Sequence, residues 1–468
     1  MNTVKTKYGI IQGIVENECT IFKGIPYAKP PVGELRFKSP QEPESWNGVF
    51  HADTFPPACM QTPPPEDDFY YKEFNTPVNF SEDSLYLNVW TPAKNAADML
   101  PVAVWLYGGA LLSGYCAEKE FDGAEYAKRG VILVTVNYRL GLFGFMCHPW
   151  LAEENSGHCG NYGVLDQLAA LKWIKENIKF FGGDPDNVTL FGQSSGSLTS
   201  QTLMLSPLSK GLFNKCILQS GAVYDNGFCK NRKQEEYYDI GEKAVELSGV
   251  KSLAELREIP ADRLLEISNE LIGYACSLDK GLGYEPVIDN YLLVGDSEYN
   301  LKVGNFSDIP IILGSTVNDI CTPENQTIPM KESQLHNGCI NWCKHQIELG
   351  YTPSYVYYFN HRLPGDGSGA FHSSELWYMF GTLDRCWRPF TDKDRQLSEK
   401  CLIIGVTLLR QEILMVMDWK NGRFGILKTG ALCYLNDKVT DSLLRLPDVF
   451  FGVLYKLLCL GGKKINML

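Results

Sequence analysis

The stretch NVTLFGQSSGS, residues 187–197, sets Ser194 and Ser195 between Gly192 and Gly196 at the end of an apolar run. A serine hydroxyl becomes a nucleophile only when a base takes its proton, and the oxyanion that then forms needs fixed hydrogen-bond donors. Residues 188–191 read as a strand, 192–196 as a tight turn and 198–205 as a helix, which is the setting of a nucleophile elbow with Ser194 at its tip. The amide of Ser195 would then point at an oxyanion. In a Gly-rich protein the G-x-S-x-G pattern also marks a plain tight turn; the strand, turn and helix around it favour the elbow. Upstream, Gly108-Gly109-Ala110 in WLYGGALLSG follows a second strand-like run and offers backbone N–H groups at a strand end, although glycines there also suit an ordinary loop.

These groups need a frame. Short β-branched runs at 102–107, 131–139, 187–192, 216–221, 309–314 and 354–360 predict buried strands. Between the second and third, Leu168, Leu171, Ile174 and Ile178 recur at helical spacing and predict one apolar stripe laid on a sheet. Strands alternating with helices imply a mostly parallel sheet with helices on both faces.

Of the 468 residues, 44% are apolar and 21% charged, an ordinary globular balance with no linker or repeat to divide it. A formal charge of −12 without a basic cluster argues against nucleic acid or an anionic membrane and for a small-molecule substrate. The first residues, MNTVKTKYGIIQGIVENE, show no apolar leader, so a cytoplasmic location is expected. The fifteen cysteines are odd in number and irregularly spaced, which fits reduced thiols better than a disulfide framework. His336, Cys339, Cys343 and His345 match no usual zinc spacing and read as an amphipathic helix.

The motifs FKGIPYAKPPVGELRF, SEDSLYLNVWTP, YGGALLSG, NYRLGLFGF, GNYGVLDQLAALKWIKENIKFFGGDPDNVTLFGQSSG and SPLSKGLFNKCILQSG together resemble the type B carboxylesterase family of α/β-hydrolases, from the first residues to about Lys400. The resemblance implies an α/β-hydrolase fold with a central mostly parallel mixed sheet, helices on both faces and a small N-terminal β-sheet. It implies a serine carboxylesterase that hydrolyses carboxylic esters through an acyl-enzyme, with an ester substrate and neither metal nor other cofactor. Ser194 is then the nucleophile, and Gly109, Ala110 and Ser195 supply the oxyanion-hole amides. The family order of serine, acid, histidine leaves four of the seven histidines. Of these, His372 in GAFHSSELWYMFG resembles the catalytic base, and Asp319, five residues after the glycine of IPIILGSTVNDI, resembles the acid.

Several positions depart from the family pattern. Asp319 stands where most relatives have the longer Glu. Ala110 replaces a glycine, which its methyl permits if its φ is negative. Ser195 replaces an alanine, and Ser84 replaces a half-cystine whose partner position resembles Cys59. Beyond Lys400 the resemblance stops. Codons chosen for residues 403–421, read one base earlier, spell DYWCNFAKTGDPNG, close to the run that relatives carry there. Residues 1–400 are therefore expected to form the catalytic domain and 401–468 a divergent segment of out-of-frame translation. Arg410 and Glu412 interrupt its apolar character, and 449–460 is too short to span a membrane. Two further readings stand beside the esterase: a catalytically silent binding protein on this fold, and an inactive frameshifted product.

Overall fold

The computed structural model describes residues 1–409 except 17, 222–223, 225–230, 321–332 and 353, together with strands at 415–418, 423–426 and 432–435. Most of the expected tail, including 449–460, lies outside the described residues. A ten-stranded sheet runs through the molecule. Its strands in chain order are β1 (Ile14–Glu16), β2 (Cys19–Pro26), β3 (Tyr86–Thr91), β4 (Leu100–Leu106), β5 (Ile132–Val136), β6 (Gly183–Gln193), β7 (Lys215–Gln219), β8 (Ile311–Thr316), β9 (Tyr355–Phe359) and β10 (Leu432–Leu435). They lie in the order β10-β9-β8-β7-β6-β4-β5-β3-β2-β1. Pairing is parallel from β10 to β5 and antiparallel from β5 to β1. A separate small sheet joins Thr3–Lys5, Ile10–Gln12 and Val49–His51.

All six predicted strands are present, and their composition says why. The sequences VAVWL in β4 and ILVTV in β5 are buried along their whole length, so β-branched residues fill both faces and no polar alternation appears. Between β5 and β6 runs α1 (Tyr162–Asn177), buried on nearly every side except at Lys172 and Glu176. It carries more than the single predicted stripe, because Asp166 is also drawn inside by the Arg139 guanidinium at 2.7 Å. The helix α2 (Ser195–Leu205) follows β6 and packs against β6 and β7. The stretch that holds His336, Cys339 and Cys343 on a buried face is the helix α3 (Gln334–Leu349). No cluster with metal-ligating potential occurs among the described residues, and no described helix is long and apolar enough to cross a membrane. Two more helices, α4 (Leu376–Phe380) and α5 (Asp392–Leu409), pack on one another, and α5 continues across position 400 with Cys401, Leu402, Val406 and Leu409 buried.

One consequence of the parallel core governs function. The chain leaves β4, β6, β7, β8 and β9 at the same edge, so residues following those strands meet there although they are far apart in sequence. Behind that edge Trp105 packs against Phe191 at 4.7 Å and against Phe121 and Phe380 at 5.0 Å, an aromatic floor that ties β4 and β6 to α4.

Candidate active site

Ser194 sits between β6 and α2 with φ 55° and ψ −126°, a backbone state that an L-residue adopts only under constraint. The constraint is close packing. A Cβ on Gly196 would stand 2.1 Å from the Leu106 carbonyl oxygen, so only glycine lets α2 start this close to β4. The Ser194 amide donates to the Gln219 carbonyl of β7 at 2.8 Å, which fixes the turn against the neighbouring strand.

The glycine-rich loop after β4 is tightly turned. Gly109, Ala110 and Leu111 take φ of 108°, 58° and 60° in succession. The condition under which the Ala110 methyl would be free of strain, a negative φ, is not met: the turn holds three positive-φ residues in a row, and Ala110 bears the strain of its methyl. Ser195 offsets part of this, since the Leu111 N–H donates to its Oγ at 3.2 Å. An alanine there would offer no such acceptor. Among the described residues the amides of Gly109, Ala110 and Ser195 donate to no protein acceptor, so all three remain available to a ligand.

Asp319 follows β8 and His372 follows β9. The His372 Nδ1–H donates to Asp319 Oδ1 at 2.5 Å, so the shorter aspartate reaches the ring. The two loops are tied together by Asn318, whose N–H donates to the Ala370 carbonyl and whose Oδ1 accepts the Ala370 N–H, each at 3.0 Å. Asp319 is 4% exposed and fully hydrogen-bonded. Oδ1 also accepts the Ile320 amide at 2.9 Å, while Oδ2 accepts the Ser220 hydroxyl at 2.7 Å and the Thr316 amide at 2.9 Å. Burial pushes this carboxyl up, but the His372 charge and the hydrogen bonds from His372, Ser220 and Thr316 outweigh it and hold the group below the usual aspartate value.

With Nδ1 protonated, His372 presents Nε2 as an acceptor, and the Gln193 side-chain amide donates to it at 3.0 Å. Ser194 and His372 line one cavity of about 530 Å³, together with Gly109 and Ala110. The other histidines after Ser194 are committed elsewhere or shut away from that cavity. His361 bonds Asp394 at 2.7 Å, His345 bonds the carbonyls of Leu301 and Lys302, and His336 is buried, its imidazole pushed down to about 4 by desolvation.

Sequence reasoning passed over Ser220, Gln193 and Glu375. Ser220 lies in the quoted CILQSG segment, just after β7, where the same edge geometry that located Ser194 would have placed it. Glu375 is fully buried, and burial together with the Asp319 charge pushes it up to about 7. At neutral pH it is thus only partly ionised beside the His372–Asp319 pair. Cys59 is a buried free thiol near Ser84, as the missing half-cystine implies.

Two outcomes follow from this geometry. Ala110→Gly should raise stability by about 0.5–1 kcal/mol, because relief of the left-handed methyl exceeds the added chain entropy of glycine; a lowered unfolding midpoint in urea would contradict it. Because Asp319 is held low when folded, its contribution is complete above the unfolded value of about 3.9 and is lost as pH falls through the folded value. The stability gap between the wild type and Asp319→Asn should therefore shrink as pH falls below about 4, checked by denaturant melts at each pH; a gap that stays flat from about pH 4 to about pH 2 would contradict a carboxylate held low by its hydrogen bonds.

The chain matches the model of the carboxylesterase family over residues 1–338. It is 35% identical over 441 residues to the para-nitrobenzyl esterase of Bacillus subtilis, covering 84% of this chain and 87% of that protein. It is 36% identical over 315 residues to a fumonisin B1 esterase of Sphingopyxis macrogoltabida, covering 67% of this chain and 55% of that longer protein. Among solved structures it superposes on a PNB esterase with a TM-score of 0.77 at 30% identity, covering 93% of this chain and 96% of that one. A Geobacillus stearothermophilus carboxylesterase gives 0.70 at 30% identity over 88% of this chain and 91% of that one. With the sheet order, the serine turn and the acid–histidine pair already in place, these matches make the conclusion plain: the chain belongs to the carboxylesterase family and has the α/β-hydrolase fold.

Proposed function

We propose that Ser194, His372 and Asp319 carry the ester hydrolysis of this serine carboxylesterase, with Gly109, Ala110 and Ser195 as its oxyanion hole. The observation that carries this reading is the His372–Asp319 bond at 2.5 Å, which engages Nδ1 and leaves Nε2 as the ring nitrogen available in the cavity that Ser194 shares. When an ester enters, the Gln193 amide yields Nε2 to the Ser194 hydroxyl, a hydrogen bond that the structure does not make and that forms as substrate binds. Ser194 Oγ attacks the ester carbonyl as His372 takes its proton, and Asp319 stabilises the imidazolium. The carbonyl oxygen becomes an oxyanion facing three donor amides, each worth ~3 kcal/mol in such a site. Collapse breaks the ester C–O bond, and His372 returns the proton to the departing alcohol. Water, deprotonated by the same nitrogen, then attacks the acyl-enzyme and frees the acid and Ser194.

The silent binding protein is the weaker alternative, because nucleophile, base, acid and free amides are all retained. Ser194→Ala should lower kcat for p-nitrophenyl acetate by roughly 10⁶-fold and Asp319→Asn by about 10⁴-fold, with folding checked by circular dichroism. Undiminished turnover in folded Ser194→Ala would sink the assignment.

A further inference from the structure

Three carboxyls that the hydrolysis above does not use line the catalytic cavity, and one of them, Asp68, already accepts the Tyr70 and Tyr71 amides. Glu118 and Glu120, in the loop after Gly108-Gly109-Ala110, line it together with Ser194 and His372. Glu120 is 1% exposed, and its Oε2 has no hydrogen-bond partner among the described residues. An unsatisfied buried acceptor normally costs ~1–3 kcal/mol, so its retention beside a nucleophile points to a donor brought by a ligand. The nearby Glu73 shows what satisfaction looks like here. Its oxygens accept from Arg388 Nε at 2.8 Å, Trp377 Nε1 at 3.0 Å and Trp387 Nε1 at 2.8 Å.

Glu118 and Glu120 instead turn to each other. Glu118 Oε1 accepts the Tyr115 amide at 3.0 Å, and the two carboxyls lie within hydrogen-bonding reach of one another. Burial pushes Glu118 up to about 7, and burial with the Glu118 charge pushes Glu120 up further, so the pair keeps a proton between them. The Lys119 ammonium does not neutralise them, since it reaches the Lys72 carbonyl on the surface. Aromatic residues Tyr115, Phe121, Phe74 and Tyr70 complete this part of the wall. Carboxylate acceptors among aromatic rings suit a cation. The unpartnered acceptor narrows the class further, because a quaternary ammonium has no N–H with which to fill it whereas a primary ammonium has three.

We propose that Glu118 and Glu120 form a subsite for a protonated primary amine, so that the enzyme selects esters bearing an alkylammonium group on the acyl or the alcohol side. This rests on the ester-hydrolase reading for the reaction, while the binding site itself stands on the cavity. Two kinds of measurement separate them. Calorimetry on the full chain should find hexylammonium binding at least tenfold tighter than hexanol or hexyltrimethylammonium, with the advantage lost in Glu120→Gln and Glu118→Gln. In kinetics, p-nitrophenyl 6-aminohexanoate against p-nitrophenyl heptanoate, and 6-aminohexyl butyrate against heptyl butyrate, test the two sides. On one side kcat/KM for the amine ester should exceed its neutral counterpart about tenfold, and either Gln variant should bring that ratio towards one. Wild-type protein alone can overturn the proposal if neither amine ester is preferred and hexylammonium binds no tighter than hexanol. Equal binding of hexyltrimethylammonium would also overturn it, by showing a site that needs charge and not donors. Tight, Glu120-dependent hexylammonium binding with no ester turnover would uphold the subsite and reject the hydrolase reading.

Discussion

A single strained residue organises the catalytic edge of this molecule. Holding Ser194 at φ 55° and ψ −126° lifts its hydroxyl clear of both β6 and α2, and the surroundings are built to prevent its relaxation. Gly196 lets the helix start almost against Leu106, the Gln219 carbonyl captures the serine amide, and a Cβ at Gly221 would strike the Ser194 carbonyl oxygen at 2.2 Å. A parallel sheet makes this economical. Its strands leave at one edge, so rigid β4, β6, β7, β8 and β9 each deliver residues to one place without a long-range hinge.

The second device is the fully satisfied Asp319. Four donors surround its two oxygens, counting His372, so the carboxylate is held below the usual aspartate value though buried, and it orients the imidazole through Nδ1. Reach is not limiting, because Asn318 stitches the acid loop to the histidine loop and brings the shorter aspartate to 2.5 Å. The strain at Ala110 and Leu111 has a matching local answer in the Ser195 hydroxyl.

How much of this was readable in the sequence followed a physical pattern. Continuous apolar runs and the glycine-flanked serine report local conformation, so the strands and the elbow were legible at Ile132–Val136 and at Ser194. Asp319 and His372 are 53 positions apart, and only resemblance to a family linked them, because sheet-edge convergence leaves no local spacing to read. The φ of Ala110 was missed for a related reason. A single alanine carries no sign that its neighbours on both sides are also left-handed. Ser220, Gln193, Glu118 and Glu120 escaped because their meaning depends on burial and partners, which composition does not encode.

The central claim is that these groups assemble into a reactive serine in this protein, despite the unusual sequence after Lys400. Titration of the purified, folded monomer with a fluorophosphonate, followed by peptide mapping, tests it most directly. One equivalent bound at Ser194, with none bound by Ser194→Ala, is the result this account requires. Folded protein that stays unlabelled, or that labels at another residue, would contradict it.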